Sequence, residues 1–370
     1  MPSGATVGAA AGASVAGPSG GGMNPFWAAS NWYFEPNSNE IANGSWQLTT
    51  SAKPFSIQLD TNGFLKDYRV VVRSSGAVGG TAAPDGPYSL FQSVTFQTPN
   101  GSEFFQDMGG YNHLIHQAYG RPWEGNPTQW FDYAQSINPS FTMKLAPEIR
   151  YTAGALPNMD SRRQYKVQGY LSPVSGVISG SNSTAPTVTF ASGIDTWAQP
   201  DAKDLMEVDN ESIPPGVALQ VYRRHATQTL NGASSNNTID ARSLTGNLDR
   251  LLYLIVRDSN GARQDYLSDP ITWTIDSRTL DNYTQASLFG SLNDFYGTNV
   301  MPRPTGVYLF PRFFNPGTLV GQGWLETSGA TKLQWQSTTV STATNVPGTI
   351  DINVEDVVPL EGLPYELTNL

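Results

Sequence analysis

Two stretches decide how this chain is read: Gly63–Ala77, GFLKDYRVVVRSSGA, and Gly246–Ala262, GNLDRLLYLIVRDSNGA. Each opens on Gly, a variable residue and Leu. Each then passes through an apolar β-type run and ends in Val-Arg, Ser and Gly-Ala. The second copy is slightly longer. Self-similarity at long period reports duplicated architecture, so the segments flanking the two copies must also correspond.

They do. In the first half, strands are expected at Trp46–Thr49 and Phe55–Leu59, then in the first copy, then at Ser93–Gln97, closed by the turn Pro99-Asn100-Gly101. Phe104/Phe105, Met108, Tyr111, Ile115 and Ala118/Tyr119 recur at helical spacing and predict a helix over 102–119. Phe141–Leu145, Arg163–Leu171 and Thr187–Phe190 read as three further strands. The second half repeats the order. It has strands at Val217–Tyr222, in the second copy and at Ile271–Ile275, a helix over 280–296 with Asp281 as its cap, then strands at Val307–Phe313, Thr331–Gln336 and Thr349–Val354. Arg163–Gln168 corresponds to Thr331–Gln336, and Pro186–Phe190 to Pro347–Ile352.

The expected fold class is therefore all-β with a few short helices, arranged as two β-sandwiches. Composition agrees: 36 Gly and 26 Pro punctuate a chain rich in aromatic residues, the pattern of short strands and many turns. The expected division is an arm and aromatic anchor over 1–43, a first sandwich over 44–200, an acidic connector over 201–215, a second sandwich over 216–360 and a tail over 361–370. Residues 1–22 are nearly all Gly, Ala, Ser, Val, Thr and Pro, too poor in apolar surface to offset their ordering entropy, and read as a flexible arm. Phe26, Trp27, Trp32, Tyr33 and Phe34 follow as an anchor, either covering a sandwich end or lying near a lipid interface.

A net charge of −10 argues against a phosphate-binding surface. The absence of cysteine excludes disulfides, thiolate metal sites and cysteine nucleophiles. No apolar run has membrane-spanning length, and the N-terminus lacks the marks of a signal peptide. A chain made and used inside a cell is expected.

This order resembles the double jelly-roll major capsid proteins of the tectivirus and adenovirus-hexon lineage, from icosahedral, often membrane-containing viruses and bacteriophages. Gly63-Phe64-Leu65, the passage from Gly154-Ala155-Leu156-Pro157-Asn158 to Tyr165-Lys166-Val167, and the run from Phe289 through Pro-Arg-Pro-Thr-Gly to Tyr308 carry the resemblance. Family N-terminal segments are often more helical, charged or Gln-rich than this Gly/Ala/Ser arm. The resemblance implies two eight-stranded jelly rolls side by side and a homotrimer whose six similar lobes fill a hexagonal lattice position. It also implies penton and minor capsid proteins as partners, an internal membrane on the side of the N-terminus, and a virion location after assembly in the host cytoplasm. No catalytic, cofactor-binding or metal residues are implied, and no direct sequence-specific nucleic-acid binding.

Candidate chemistry is sparse. His113 and His116 have the i, i+3 spacing of a metal pair, but no acidic residue completes a ligand set beside them; they read as a polar edge on an aromatic helix. His225 reads as a solvated strand end. Gly17–Gly21 matches Gly-x-Ser-x-Gly within the arm, with no strand before it or helix after it. Asp201, Asp204, Glu207, Asp209 and Glu211 lack calcium-loop spacing and read as a solvated connector. The alternative function is a carbohydrate-active sandwich, a glycosidase or lectin-like module, with Trp123, Trp130, Trp197 and Trp324 stacking on sugars.

Overall fold

The computed structural model describes residues 34–36, 41–121, 136–150, 153–158, 161–181, 184–197, 219–296, 303–313 and 323–359. The arm, the anchor aromatics before Phe34, the acidic run, Trp123 and Trp130 lie outside them.

The first half contains β1 (Phe34–Pro36), β2 (Ile41–Gln47), β3 (Lys53–Gln58), β4 (Phe64–Ser75), β5 (Thr81–Ala82), β6 (Phe91–Gln97), β7 (Glu103–Met108), α1 (Gly110–Gly120), β8 (Ser140–Leu145), β9 (Leu156–Pro157), β10 (Lys166–Leu171), β11 (Ile178–Ser179) and β12 (Thr187–Trp197). One sheet runs β8-β4-β12, with β1 and β2 sharing the far edge of β12; its partner runs β7-β6-β10-β3. The second half contains β13 (Leu219–Leu230), β14 (Asn236–Asp240), β15 (Leu248–Arg257), β16 (Leu267–Ile275), β17 (Arg278–Tyr283), α2 (Gln285–Tyr296), β18 (Val307–Pro311), β19 (Leu325–Glu326), β20 (Leu333–Thr339) and β21 (Gly348–Pro359). Its sheets run β18-β15-β21-β13 and β17-β16-β20-β14. Strand for strand, the two halves have the same order. Each is an eight-stranded jelly roll, with β1 and β2 together forming the first strand of the first.

The two copied stretches are β4 and β15, the same strand of each roll. Their registers agree in detail. Arg73 lies opposite Thr189 on β12, and Arg257 opposite Thr349 on β21. Six pairs further along, each strand carries one extra residue. Lys66 bulges between Asp67↔Asp195 and Leu65↔Thr196, and Arg250 bulges between Leu251↔Glu355 and Asp249↔Asp356. Both bulged residues are basic and stand seven positions before the matched arginine. A conserved offset of this kind is a property of the backbone design rather than of composition.

Both predicted helices begin later than the sequence reading places them. Phe104, Phe105 and Met108 belong to strand β7, and the helix starts after Gly109. A Cβ on Gly110 would stand 2.5 Å from the Tyr88 carbonyl oxygen, so the chain turns there only with glycine. Likewise 278–283 is strand β17. Asp281 does not cap; it sits in that strand and pairs with Arg312. Thr284 takes the cap, its Oγ1 accepting the Ser287 N–H at 3.1 Å. The short polar strand β14 has no counterpart among the expected strands.

The rolls form one body. Edge strands β7 and β13 lie parallel, with Phe105 opposite Arg223, and join a sheet of each roll into one continuous sheet. A single apolar core cluster includes residues of both rolls, from Leu48 to Val354.

Candidate functional site at the seam between the rolls

The seam is built by α1 of the first roll lying on the outer face of the β15–β21 sheet of the second. The sequence of β15 prepares this. Leu252, Leu254 and Val256 face the core of their own roll, while Leu251, Tyr253 and Ile255 on the opposite face are also fully buried. A strand covered on both sides needs an unbroken apolar run. The Tyr253 hydroxyl donates to the Asn112 carbonyl at 2.9 Å, and the Asn112 side chain donates to Asn353 at 3.0 Å. At the other end of the helix, the Tyr296 hydroxyl of α2 donates to the Tyr119 carbonyl at 3.1 Å.

A buried charge cluster closes the seam. Glu355 of β21 accepts from Arg121 at 2.7 Å, from Arg250 at 2.6 Å and from Arg223 at 3.3 Å. Burial alone would raise the Glu355 carboxyl; Arg121, Arg250 and Arg223 outweigh it and hold the group below the ordinary carboxylate range. Burial lowers Arg223 to about 9 and Arg250 to about 10. The excess positive charge is spread over neutral partners. Arg223 lies 4.1 Å from the Phe105 ring centre, Arg250 lies 4.6 Å from that of Phe313, and the Gly120 and Ala146 carbonyls accept further N–H groups. The bulge in β15 is what delivers Arg250 to this cluster. A second inter-roll tie joins Asp85 of the first roll to Arg257 at 2.8 Å and to Arg263, with Arg257 also bonded to Asp351.

The histidines take other places than the sequence reading expects. His113 and His116 are fully buried in α1 rather than on a polar edge. His113 is pushed down to about 3, first by burial and then by Arg223, and bonds the Val94 carbonyl at 3.2 Å. His116 is also held well below the histidine range by burial, with its ring against Tyr253. His225 is not a strand end: it sits half-buried within β13, its N–H donating to Gln106 across the seam. Among the described residues, no group of three or more His, Asp or Glu is placed to hold a metal ion. Trp197 ends β12 and donates to Glu148, and Trp324 packs against the Ile149, Val221 and Val357 cluster, so both are engaged in packing.

No family model matches the sequence, and no curated protein matches it. Solved structures do match the fold. PBCV-1 VP54, fitted into a reconstruction of the virophage Sputnik, aligns over 88% of this chain and 94% of its own, with TM-score 0.62 at 13% identity. The STIV major capsid protein aligns over 90% and 99%, with TM-score 0.58 at 14% identity. The Faustovirus major capsid protein aligns over 88% and 90%, with TM-score 0.54 at 10% identity. The chain thus has the double jelly-roll fold of these viral major capsid proteins, over nearly its whole length.

Proposed function

We propose that the chain is a structural subunit of a virus shell, a major capsid protein that forms homotrimeric capsomers of pseudo-hexagonal outline. The observation that carries this is an unequal covering of equivalent surfaces. Inside the chain, α1 covers the outer face of the β15–β21 sheet, and every α1 residue but Gln117 is buried. The equivalent outer face of the first roll, with Arg69, Val71 and Arg73 on β4, is half-exposed or exposed. The equivalent helix, α2, buries only Leu288, Leu292 and Tyr296 and leaves Asn293, Asp294 and Phe295 exposed. A chain that offers a bare helix at one end and a bare sheet at the other supports repetition of its own internal contact with the next copy. Three copies then close as six alternating rolls, a heterologous contact that closes into a ring.

The remaining parts of the reading follow from the capsid role. The division into arm, first roll, acidic connector, second roll and tail, with the boundaries expected from the sequence, goes with a subunit standing on its N-terminal arm. The site is one of assembly, with no catalytic residue, cofactor or metal assigned. The chain resides in the virion shell after assembly in the host cytoplasm, and penton and minor capsid proteins and an internal membrane are its further partners.

Light scattering and electron microscopy of the purified protein test this. The expected result is a particle three times the 40.0 kDa chain mass, six-lobed in projection or packed in hexagonal capsomers. A monomer at all concentrations would overturn it.

A further inference from the structure

A cleft of about 570 Å³ opens beside the seam, between the outer face of the first roll and strand β13 of the second. Assembly by the contacts described above does not use it. Three carboxylates line it: Asp85, Asp107 and Asp351. Two of them are already compensated, since Arg257 bonds both Asp85 and Asp351, and Arg263 bonds Asp85. Asp107 makes no ion pair among the described residues, and it lies close enough to His225 to act on its titration. The wall behind is polar and unsatisfied. Ser93 is only 9% exposed, and its Oγ has no hydrogen-bond partner; the same holds for the buried Ser89 Oγ and His225 Nδ1 atoms. A buried polar atom without a partner costs free energy, and all three residues line the cleft. Aromatic rings complete the lining: Tyr111 is buried, and Tyr170 stands at the rim with half its surface in solvent.

We propose that this cleft binds an organic cation, a protonated amine or guanidinium on an aliphatic stem, with Asp107 as its counter-ion. Ser93, Ser89 and His225 accept its N–H groups, and the tyrosine rings pack its stem. Burial holds His225 below the ordinary histidine range, so the ring is neutral and does not repel a cation. A carboxylate beside aromatic rings and hydroxyl acceptors is the chemistry that recognises ammonium groups. The volume lies within the range of small-ligand sites.

Calorimetry on the intact, assembled protein tests the proposal, with spermidine and N-acetyl-arginine amide as probes. The expected result is one saturable site per chain for at least one probe. Asp107→Asn should weaken it about tenfold or more, the effect of losing a charge-assisted hydrogen bond, and Tyr170→Ala should weaken it severalfold. Both residues are exposed enough for the variants to keep the parent melting temperature. Asp60→Asn, which removes an exposed charge just after β3, away from the cleft and from the α2 contact, should leave binding unchanged. Tighter binding of spermidine would name a free polyamine as the source of the cation; tighter binding of the blocked arginine would name a protein side chain. Absence of binding by both probes, binding indifferent to Asp107→Asn, or an equal loss in Asp60→Asn would overturn the proposal.

Discussion

Strands β4 and β15 hold the same place in their rolls, share a register and share a bulge, yet the middle of one alternates while that of the other, Leu251–Val256, is an unbroken apolar run. Aligned from their arginines, Asp67, Arg69 and Val71 on the outer face of β4 correspond to Leu251, Tyr253 and Ile255 on β15. The inner faces stay alike: Tyr68, Val70 and Val72 against Leu252, Leu254 and Val256. Only the outer face has diverged, and it diverged where a helix of the other roll lies on it. The duplicated strand thus records which side of each roll the chain covers for itself and which side it leaves open.

The charge clusters at the bulges give this comparison its largest expected effect. Glu355 and Asp195 are equivalent, but Glu355 is fully buried among three guanidinium groups, while Asp195 pairs with Arg69, which keeps 28% of its side chain exposed. Glu355→Gln leaves uncompensated buried charge and should cost about 3–5 kcal/mol in denaturant unfolding. Asp195→Asn should cost less, about 1 kcal/mol, because its partner Arg69 keeps contact with water. Similar losses in both variants would break the asymmetry between the rolls.

The matched arginines come next. Arg257→Ala breaks two ion pairs, of which the one to Asp85 ties the rolls together, and about 2 kcal/mol of stability should go with it. Arg73→Ala, on the exposed face, should stay within about 0.5 kcal/mol of the parent. Melting curves of the two variants, run side by side, decide it.

Each roll also carries a facing carboxylate pair at its bulge, Asp67 with Asp195 and Asp249 with Asp356. Burial raises Asp67 to about 7 and Asp249 to about 8, and Asp195 and Asp356 respectively add to the rise. A raised carboxylate keeps its proton in the folded chain at a pH where the unfolded chain has lost it. Its contribution is full in acid and is lost as pH rises through the folded value. His113 and His116, lowered by burial, act in the opposite sense: the unfolded chain takes up their protons below about 6.5, so stability falls there as pH drops. Between about pH 4 and 6.5 the two effects oppose one another; above about 6.5 only the carboxylates act, and stability declines by about 1 kcal/mol per pH unit towards pH 8. Asp249→Asn should flatten that alkaline decline. A wild-type profile that rises between pH 7 and 8 would contradict the assignment.

The smallest effect separates the two helices. Gly290 lies on the exposed face of α2 with open space where a Cβ would be, so Gly290→Ala should add about 1 kcal/mol. Gly110→Ala, at the start of α1, should instead destabilise through its contact with the Tyr88 carbonyl. Thermal melts read both signs.

Much of the fold was legible because buried strands write their burial into sequence. The order of strands, the pairing of the two copies and the correspondence of β10 with β20 and of β12 with β21 all follow from alternation and repetition. The helix starts were not legible. Strands β7 and β17 run into α1 and α2 across one residue each, and Phe104, Phe105 and Met108 satisfy either period. Strand β14, NNTID, is short and polar, with only Asn237 and Ile239 turned inward. The seam was hidden for another reason: Arg121 and Glu355 are 234 residues apart, and nothing local pairs them. A signal was nonetheless present. Six apolar residues in a row, Leu251–Val256, imply a second covered face.

In the proposed capsomer one chain repeats its internal contact with the next. In that contact His116 of α1 meets Tyr253 of β15, with ring centres 4.9 Å apart. Matching the helices at Tyr119 and Tyr296 makes Asn293 the equivalent of His116, and the strand register makes Arg69 the equivalent of Tyr253. The chain has no cysteine of its own, so an Arg69→Cys/Asn293→Cys double variant reports this one proximity. With a short thiol cross-linker the expected result is covalent products of two and three chains on a denaturing gel, absent from either single variant. A product that stays at the mass of one chain, in a preparation that is otherwise trimeric, would contradict it.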